Sequence, residues 1–206
     1  MKIGLIGGTF DPVHYGHLLL AERFREELEL DKIIFIPTGT SYHKESEEVS
    51  PSELRYRMLE MAISDNENFT ISDIEVRRNG NSYTCDTVRE LKKRFREDEF
   101  FFLIGTDILF TIEEWKEVDW LFRNIRFLLA LREGFERENI NEKLAYLTEE
   151  RGADIMLREF DLVNISSTKI RENVKQNKSI KYLLPVQIEH FIKENGMYRE
   201  ERFAAL

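Results

Sequence analysis

Short runs rich in β-branched and aromatic residues alternate with longer amphipathic stretches along most of the chain, and few folds accommodate that alternation. Strand-like runs fall at residues 3–6, 32–36, 69–76, 100–104, 126–131 and 153–158. Between them, residues 18–30 place Leu19, Leu20, Phe24 and Leu28 near one helical face, with Glu22, Arg23, Glu26 and Glu27 around it. Residues 84–95 and 139–151 read as further helices. Ser50-Pro51-Ser52-Glu53 has a capping serine, a proline at the first helical position and a glutamate at the third, so a helix is expected from there to about residue 63. Pro185 opens and Gly196 closes a last helical pattern through Val186, Ile188 and Phe191. Strands alternating with helices are the pattern of a parallel sheet covered by helices. No internal repeat or low-complexity linker divides the chain, so residues 1–206 are expected to form one domain.

Composition narrows the function. With 42% hydrophobic residues in 206, the chain has enough apolar side chain to close a core. Thirty basic against 39 acidic residues give a net charge of −9, which excludes general attraction to nucleic acid or anionic lipid and makes any phosphate site local. The single cysteine, Cys85, forms no internal disulfide or thiolate cage and fits a reducing compartment. No run approaches the roughly 18 to 20 apolar residues that span a bilayer. The N-terminus is broken by glycines and meets Asp11 early, unlike a signal peptide, so a cytoplasmic protein is expected.

The most informative segment runs from the first strand into Gly7-Gly8-Thr9-Phe10-Asp11-Pro12-Val13-His14-Tyr15-Gly16-His17, with a helix expected from about His17. Glycines after a buried strand let the backbone turn sharply and approach a ligand, and the free N–H groups of a helix start favour an anion. The spacing is neither the dinucleotide fingerprint nor a Walker loop. His14 and His17, three apart, aim their rings the same way on a helical turn. They suit phosphate donors, or metal ligands if further partners come from His43, His190, Cys85 or carboxylates. Near the other end, Ile165-Ser166-Ser167-Thr168-Lys169-Ile170-Arg171 puts hydroxyls before a helix and two cations in its first turn, where the dipole disfavours them and a compensating anion is called for. An ordinary serine cap with solvated charges is the plainer alternative. Residues 38–50, rich in Ser, Glu, Lys and His and without periodicity, read as a long loop.

GGTFDPVHYGH, YHKE in the loop, SYTCDT, IGTD after the fourth strand and ISSTKIR occur in that order between Met1 and Tyr198, and together they resemble the bacterial nicotinate mononucleotide adenylyltransferases. H-x-G-H with a late S-T-x-I-R is shared by the wider nucleotidyltransferase superfamily, whereas SYTCDT with Trp115 narrows the resemblance to the pyridine-nucleotide branch. The resemblance implies a doubly wound, Rossmann-like α/β sheet with helices on both faces and a small C-terminal helical part over about 165–200. It also implies AMP transfer from ATP to nicotinate mononucleotide, with Mg2+ on the triphosphate and no metal held by the protein.

By the same resemblance, His14, His17, Lys44 and Arg171 carry the chemistry at the phosphates. Gly8, Thr9 and Phe10 offer backbone to ATP, Asp107 accepts from a ribose hydroxyl, and Ser167 and Thr168 join Arg171 on the β- and γ-phosphates. Asp11, Lys44, Thr84, Cys85, Trp115 and Arg132 are implied on the acceptor side, Trp115 as a stacking platform. Taken alone, Trp115 reads equally as a core aromatic and Asp107 as a strand-end turn residue. Ser41-Tyr42 stand where the family usually has two prolines, and Glu133 where a proline is common. The partners implied are ATP and nicotinate mononucleotide. Transfer to another acceptor, such as nicotinamide mononucleotide or phosphopantetheine, and a nucleotide sensor without turnover are the competing readings. The apolar C-terminal helix with Phe191, Ile192 and Tyr198 reads equally as core or as the interface of a homo-oligomer.

Overall fold

The computed structural model describes residues 1–39, 49–131, 134–161 and 163–199. Its centre is a parallel six-stranded sheet of β1 (Lys2–Gly8), β2 (Lys32–Pro37), β3 (Phe69–Ile71), β4 (Glu99–Gly105), β5 (Arg126–Ala130) and β6 (Ile155–Arg158), in the order β3-β2-β1-β4-β5-β6. This is the doubly wound order, with the reversal between β1 and β4.

Uninterrupted apolar strands explain why both faces are covered. On one face, Ile33 and Phe35 of β2, Phe101 and Leu103 of β4 and Leu128 of β5 share a core with α1 (Tyr15–Glu27) and α2 (Ser52–Ile63), through Leu20, Phe24, Met58 and Leu59. The alternate residues, Ile34, Phe102 and Phe127 among them, face α3 (Thr84–Arg94) and α5 (Val118–Asn124) through Val88, Leu91, Leu121 and Phe122. A short 3-10 turn at Ile112–Glu114 lies next to α5, and α4 (Thr106–Leu109) lies against β4 and β5. The C-terminal helices α7 (Ser167–Lys175) and α8 (Val186–Glu194) pack into the first core through Ile170, Ile188, Phe191 and Ile192. Phe191 and Ile192 are therefore core residues.

Three sequence expectations change, and one stretch without an assignment gains one. β3 ends at Ile71 rather than residue 76: Ser72 N–H makes the last bond to Phe35, and the Ser72 hydroxyl then accepts from Ile74 N–H to turn the chain. Helix α2 has Pro51 rather than Ser50 at its N-cap and therefore no side-chain cap, while Ser50, one residue outside, donates its N–H to Asp11. The helix expected over 139–151 is α6 (Arg137–Ala145) followed by a π-turn at Tyr146–Glu150. Residues 106–124, unassigned from sequence, are helical in short pieces broken at Trp115 and at Glu117, whose φ is 52°.

Candidate active site

A cavity of about 730 Å3 opens at the carboxyl ends of β1 and β4, where strand order reverses. Its volume is within the range of small-molecule sites, and its position is the one the doubly wound topology favours for ligands.

One side is built by the turn after β1. Gly8, Thr9, Phe10 and Asp11 line it, and Phe10 is held at φ 50°, a left-handed conformation a phenylalanine seldom takes. Its ring lies edge-on to His17 at 5.0 Å. His14 is the extended residue before α1, 3% exposed, with its ring stacked on that of His17 at 3.7 Å between centroids. A Cβ on Gly16 would sit 3.0 Å from the His14 ring, so the glycine between the histidines makes room for the first of them. His17 lines the cavity, and its Nδ1 accepts the His14 main-chain N–H at 3.3 Å. An accepting Nδ1 in a neutral imidazole places the ring proton on Nε2.

Helix α7 meets the same turn from the other end of the chain. Ser166 caps it by accepting from Lys169 N–H at 3.2 Å; Ser167 Oγ donates to the Pro12 carbonyl at 2.8 Å, and Arg171 Nη1 to the Asp11 carbonyl at 2.8 Å. Ser167, Thr168 and Arg171 all line the cavity. The plainer alternative read from the sequence accounts for the serine cap and for Lys169, which is answered by Glu172 at 3.2 Å, while Arg171 lines the cavity. The N-termini of α1 and α7 thus converge on one turn, an arrangement that favours an anion.

On the opposite side, Asp107 lines the cavity from α4, whose first residue, Thr106, is anchored by its hydroxyl on the Ala130 carbonyl at 3.1 Å. Thr84 begins α3 and also lines it. Half-buried Trp115 packs edge-on to Phe102 at 5.7 Å while lining the cavity, so it is at once a core aromatic and part of the cavity wall. Cys85 is fully buried, does not line the cavity, and burial raises its thiol pKa, so a side-chain contact with substrate is ruled out in this conformation. Its Sγ lies near Asp86 and Glu117, but those carboxylates are bound to Lys116 and Arg89, respectively. Lys44 and Arg132 are outside the described residues.

The chain matches the cytidylyltransferase-like family model over residues 5–173. A protein of Moorella thermoacetica is 43% identical over 199 residues, covering 96% of this chain and 92% of its own, and one of Desulfitobacterium hafniense is 42% identical, covering 96% of each. Both carry the designation "probable nicotinate-nucleotide adenylyltransferase". The chain belongs to the nicotinate-nucleotide adenylyltransferase family. The fold is that of Plasmodium falciparum nicotinic acid mononucleotide adenylyltransferase complexed with NaAD, at a TM-score of 0.79 and 19% identity, covering 96% of this chain and 97% of that one. Among the described residues, no helix is long and apolar enough to cross a membrane.

Within this adenylyltransferase fold, three groups at the site escaped the sequence reading. Arg55 is 2% exposed on the apolar face of α2, and an arginine one turn before Met58 and Leu59 was the signal available. Glu75 lines the cavity and is 8% exposed; burial raises its carboxyl pKa, opposed by a hydrogen bond from Thr87 Oγ1 at 2.7 Å. Tyr198 donates to Asp11 Oδ1 at 2.5 Å, and its phenol is pushed up first by burial and then by that carboxylate. Asp11 is 2% exposed, with Oδ2 accepting from Ser50 N–H at 3.0 Å. Its carboxylate braces the turn.

Proposed function

We propose that this chain transfers the adenylyl group of ATP to the phosphate of nicotinate mononucleotide, forming nicotinate adenine dinucleotide and releasing pyrophosphate. The observation that carries this reading is a single cavity lined at one side by His17, Ser167, Thr168 and Arg171 and at the other by Thr84 and Trp115. One side suits a triphosphate, the other an aromatic base, and both reactants fit one space.

An oxygen of the acceptor phosphate attacks the α-phosphorus of ATP. The bond from that phosphorus to the α–β bridging oxygen breaks, and pyrophosphate leaves with the electron pair. The attacking oxygen is already anionic, so no general base and no covalent enzyme intermediate is needed. Catalysis then rests on in-line alignment and on donors for the charge that grows on the leaving pyrophosphate. His17 Nε2–H, the Thr168 hydroxyl and the Arg171 guanidinium are those donors, with His14 holding His17 in its tautomer and Ser167 bracing the turn through the Pro12 carbonyl. Mg2+ enters as part of the substrate, on the triphosphate. Asp107, at the carboxyl end of β4, accepts from the ribose, and Trp115 stacks on the pyridine ring. Main-chain N–H groups at the start of α3 receive the nicotinate carboxylate.

The test is pyrophosphate release from Mg-ATP with nicotinate mononucleotide, nicotinamide mononucleotide or phosphopantetheine supplied separately. Release with a strong preference for the acid mononucleotide is expected. ATP binding without release on any acceptor would overturn the reading.

A further inference from the structure

Arg55 is buried on the apolar face of α2, yet its guanidinium is engaged entirely with main-chain carbonyls in the hydrogen bonds seen. Nε donates to Ser50 at 2.8 Å, Nη1 to Thr9 at 2.7 Å, and Nη2 to Thr38 at 2.7 Å and Gly39 at 3.1 Å. These carbonyls belong to the turn after β1, the end of β2 and the approach to α2. Burial lowers the guanidinium pKa, and the nearby charge of Asp11 opposes that shift.

Asp11 completes the arrangement. Ser50 is gripped at both main-chain groups, its N–H by Asp11 Oδ2 and its carbonyl by Arg55 Nε. Tyr198, from beyond the last helix, fixes the other Asp11 oxygen. Thr9, which Arg55 holds by its carbonyl, lines the cavity beside His17. A guanidinium presents its donors in one rigid plane, so bonds to three segments fix their mutual positions; an ammonium on a flexible stem does not do this.

We propose that Arg55, braced by Asp11 and Tyr198, is a positioning residue for the triphosphate side of the cavity, setting the turn at Thr9–Asp11 against which His17 and Arg171 are aimed. Assignment of that side to ATP rests on the adenylyl-transfer reading above. Arg55 acts through main chain and touches no substrate. Its loss therefore falls more on ATP than on the acceptor, whose side, built from α3 and Trp115, Arg55 reaches only through Thr38 and Gly39 at the end of β2.

The test uses the full chain as wild type, Arg55→Lys and Tyr198→Phe. Equilibrium binding of a non-hydrolysable ATP analogue with Mg2+ is measured by calorimetry, beside KM for each substrate and the melting temperature. Arg55→Lys is expected to weaken analogue binding and raise KM for ATP by about tenfold or more, with KM for nicotinate mononucleotide within about twofold, since small displacements of positioned groups are costly. Tyr198→Phe, which removes a single hydroxyl, is expected to shift ATP binding the same way by about two- to fivefold. A folded Arg55→Lys protein with unchanged ATP binding, or with equal losses for both substrates, overturns the proposal. If Arg55→Lys does not fold, Tyr198→Phe decides, and unchanged analogue binding there overturns it. Absence of turnover in the wild type sinks the adenylyl-transfer reading alone, because the binding comparison does not depend on turnover.

Discussion

Replacement of His17 by asparagine separates the two jobs its ring performs. Nδ1 accepts the His14 N–H at 3.3 Å and helps hold the turn, while Nε2–H is the donor proposed for the developing pyrophosphate. An asparagine amide oxygen reaches roughly where Nδ1 stands, so His17→Asn keeps the acceptor and removes the Nε2 donor. Glutamine does the reverse, placing its amide nitrogen near Nε2. The structural cost of losing the ring is bounded by the edge contact with Phe10 at 5.0 Å, about 0.5–1.5 kcal/mol for such pairs, plus the stacking on His14. Loss of a preorganised donor to transition-state charge costs about 2.7–4 kcal/mol, or roughly 100- to 1,000-fold in kcat. His17→Asn is thus expected to melt within a few degrees of wild type yet turn over about 100-fold or more slowly, and His17→Gln to recover part of the rate. Single-turnover pyrophosphate release at saturating Mg-ATP, with calorimetric melting on the same samples, reads both quantities. A His17→Asn enzyme within fivefold of wild-type kcat would refute the donor role.

Trp115→Ala removes the surface proposed for the pyridine ring, and KM for nicotinate mononucleotide should rise by about fivefold or more with little change for ATP, as expected for loss of roughly 1–3 kcal/mol of stacking. Steady-state kinetics with each substrate varied in turn checks it, although the packing on Phe102 means a lower melting temperature comes with it. Glu75 has a folded pKa raised by burial, so it contributes stability below its unfolded pKa that is lost as pH rises through the folded value. Glu75→Gln should accordingly gain stability relative to wild type as pH rises, and denaturant titrations across the mildly acidic range to neutrality would show the two curves converging at low pH. Gly39→Ala would put a Cβ 2.2 Å from the Glu75 carbonyl, and because that neighbour is backbone, the melting temperature should fall by about 4 °C or more.

How far the sequence announces this structure differs from element to element. The central strands were legible because their apolar runs serve two cores at once: Phe100, Phe102 and Ile104 face one, and Phe101 and Leu103 the other. The glycine turn and the histidine pair were legible because the chemistry is local. Between residues 106 and 124 the helices are too short to establish a period, and a positive φ at Glu117 breaks the pattern again. The Ser50 cap failed for a different reason: the helix begins one residue later, behind Pro51, and Asp11, far away in sequence, holds the Ser50 N–H outside it. Tyr198 and Asp11 are 187 residues apart, and no spacing rule joins them. Arg55 could have been found: a cation in register with Met58 and Leu59 is out of place on a buried face unless it holds something polar there.

The net charge of −9 sharpens what the site must do to hold a polyanion. Long-range attraction is unavailable, so the favourable field has to come from groups within a few ångströms of the phosphates. The N-termini of α1 and α7 supply part of it with main-chain dipoles. Arg171 is oriented in advance by its bond to the Asp11 carbonyl, and Arg55 holds Thr9 at the neighbouring end of the same turn. Binding ground-state ATP more tightly with additional cations would slow release of pyrophosphate and add nothing to kcat, because only contacts that strengthen as charge moves onto the leaving group lower the barrier. In the proposed mechanism the His17 imidazole, its Nδ1 held by main chain, meets that requirement as an Nε2–H donor. A neutral donor of this kind would attract the resting triphosphate weakly and meet the growing negative charge with a bond that shortens as the pyrophosphate departs.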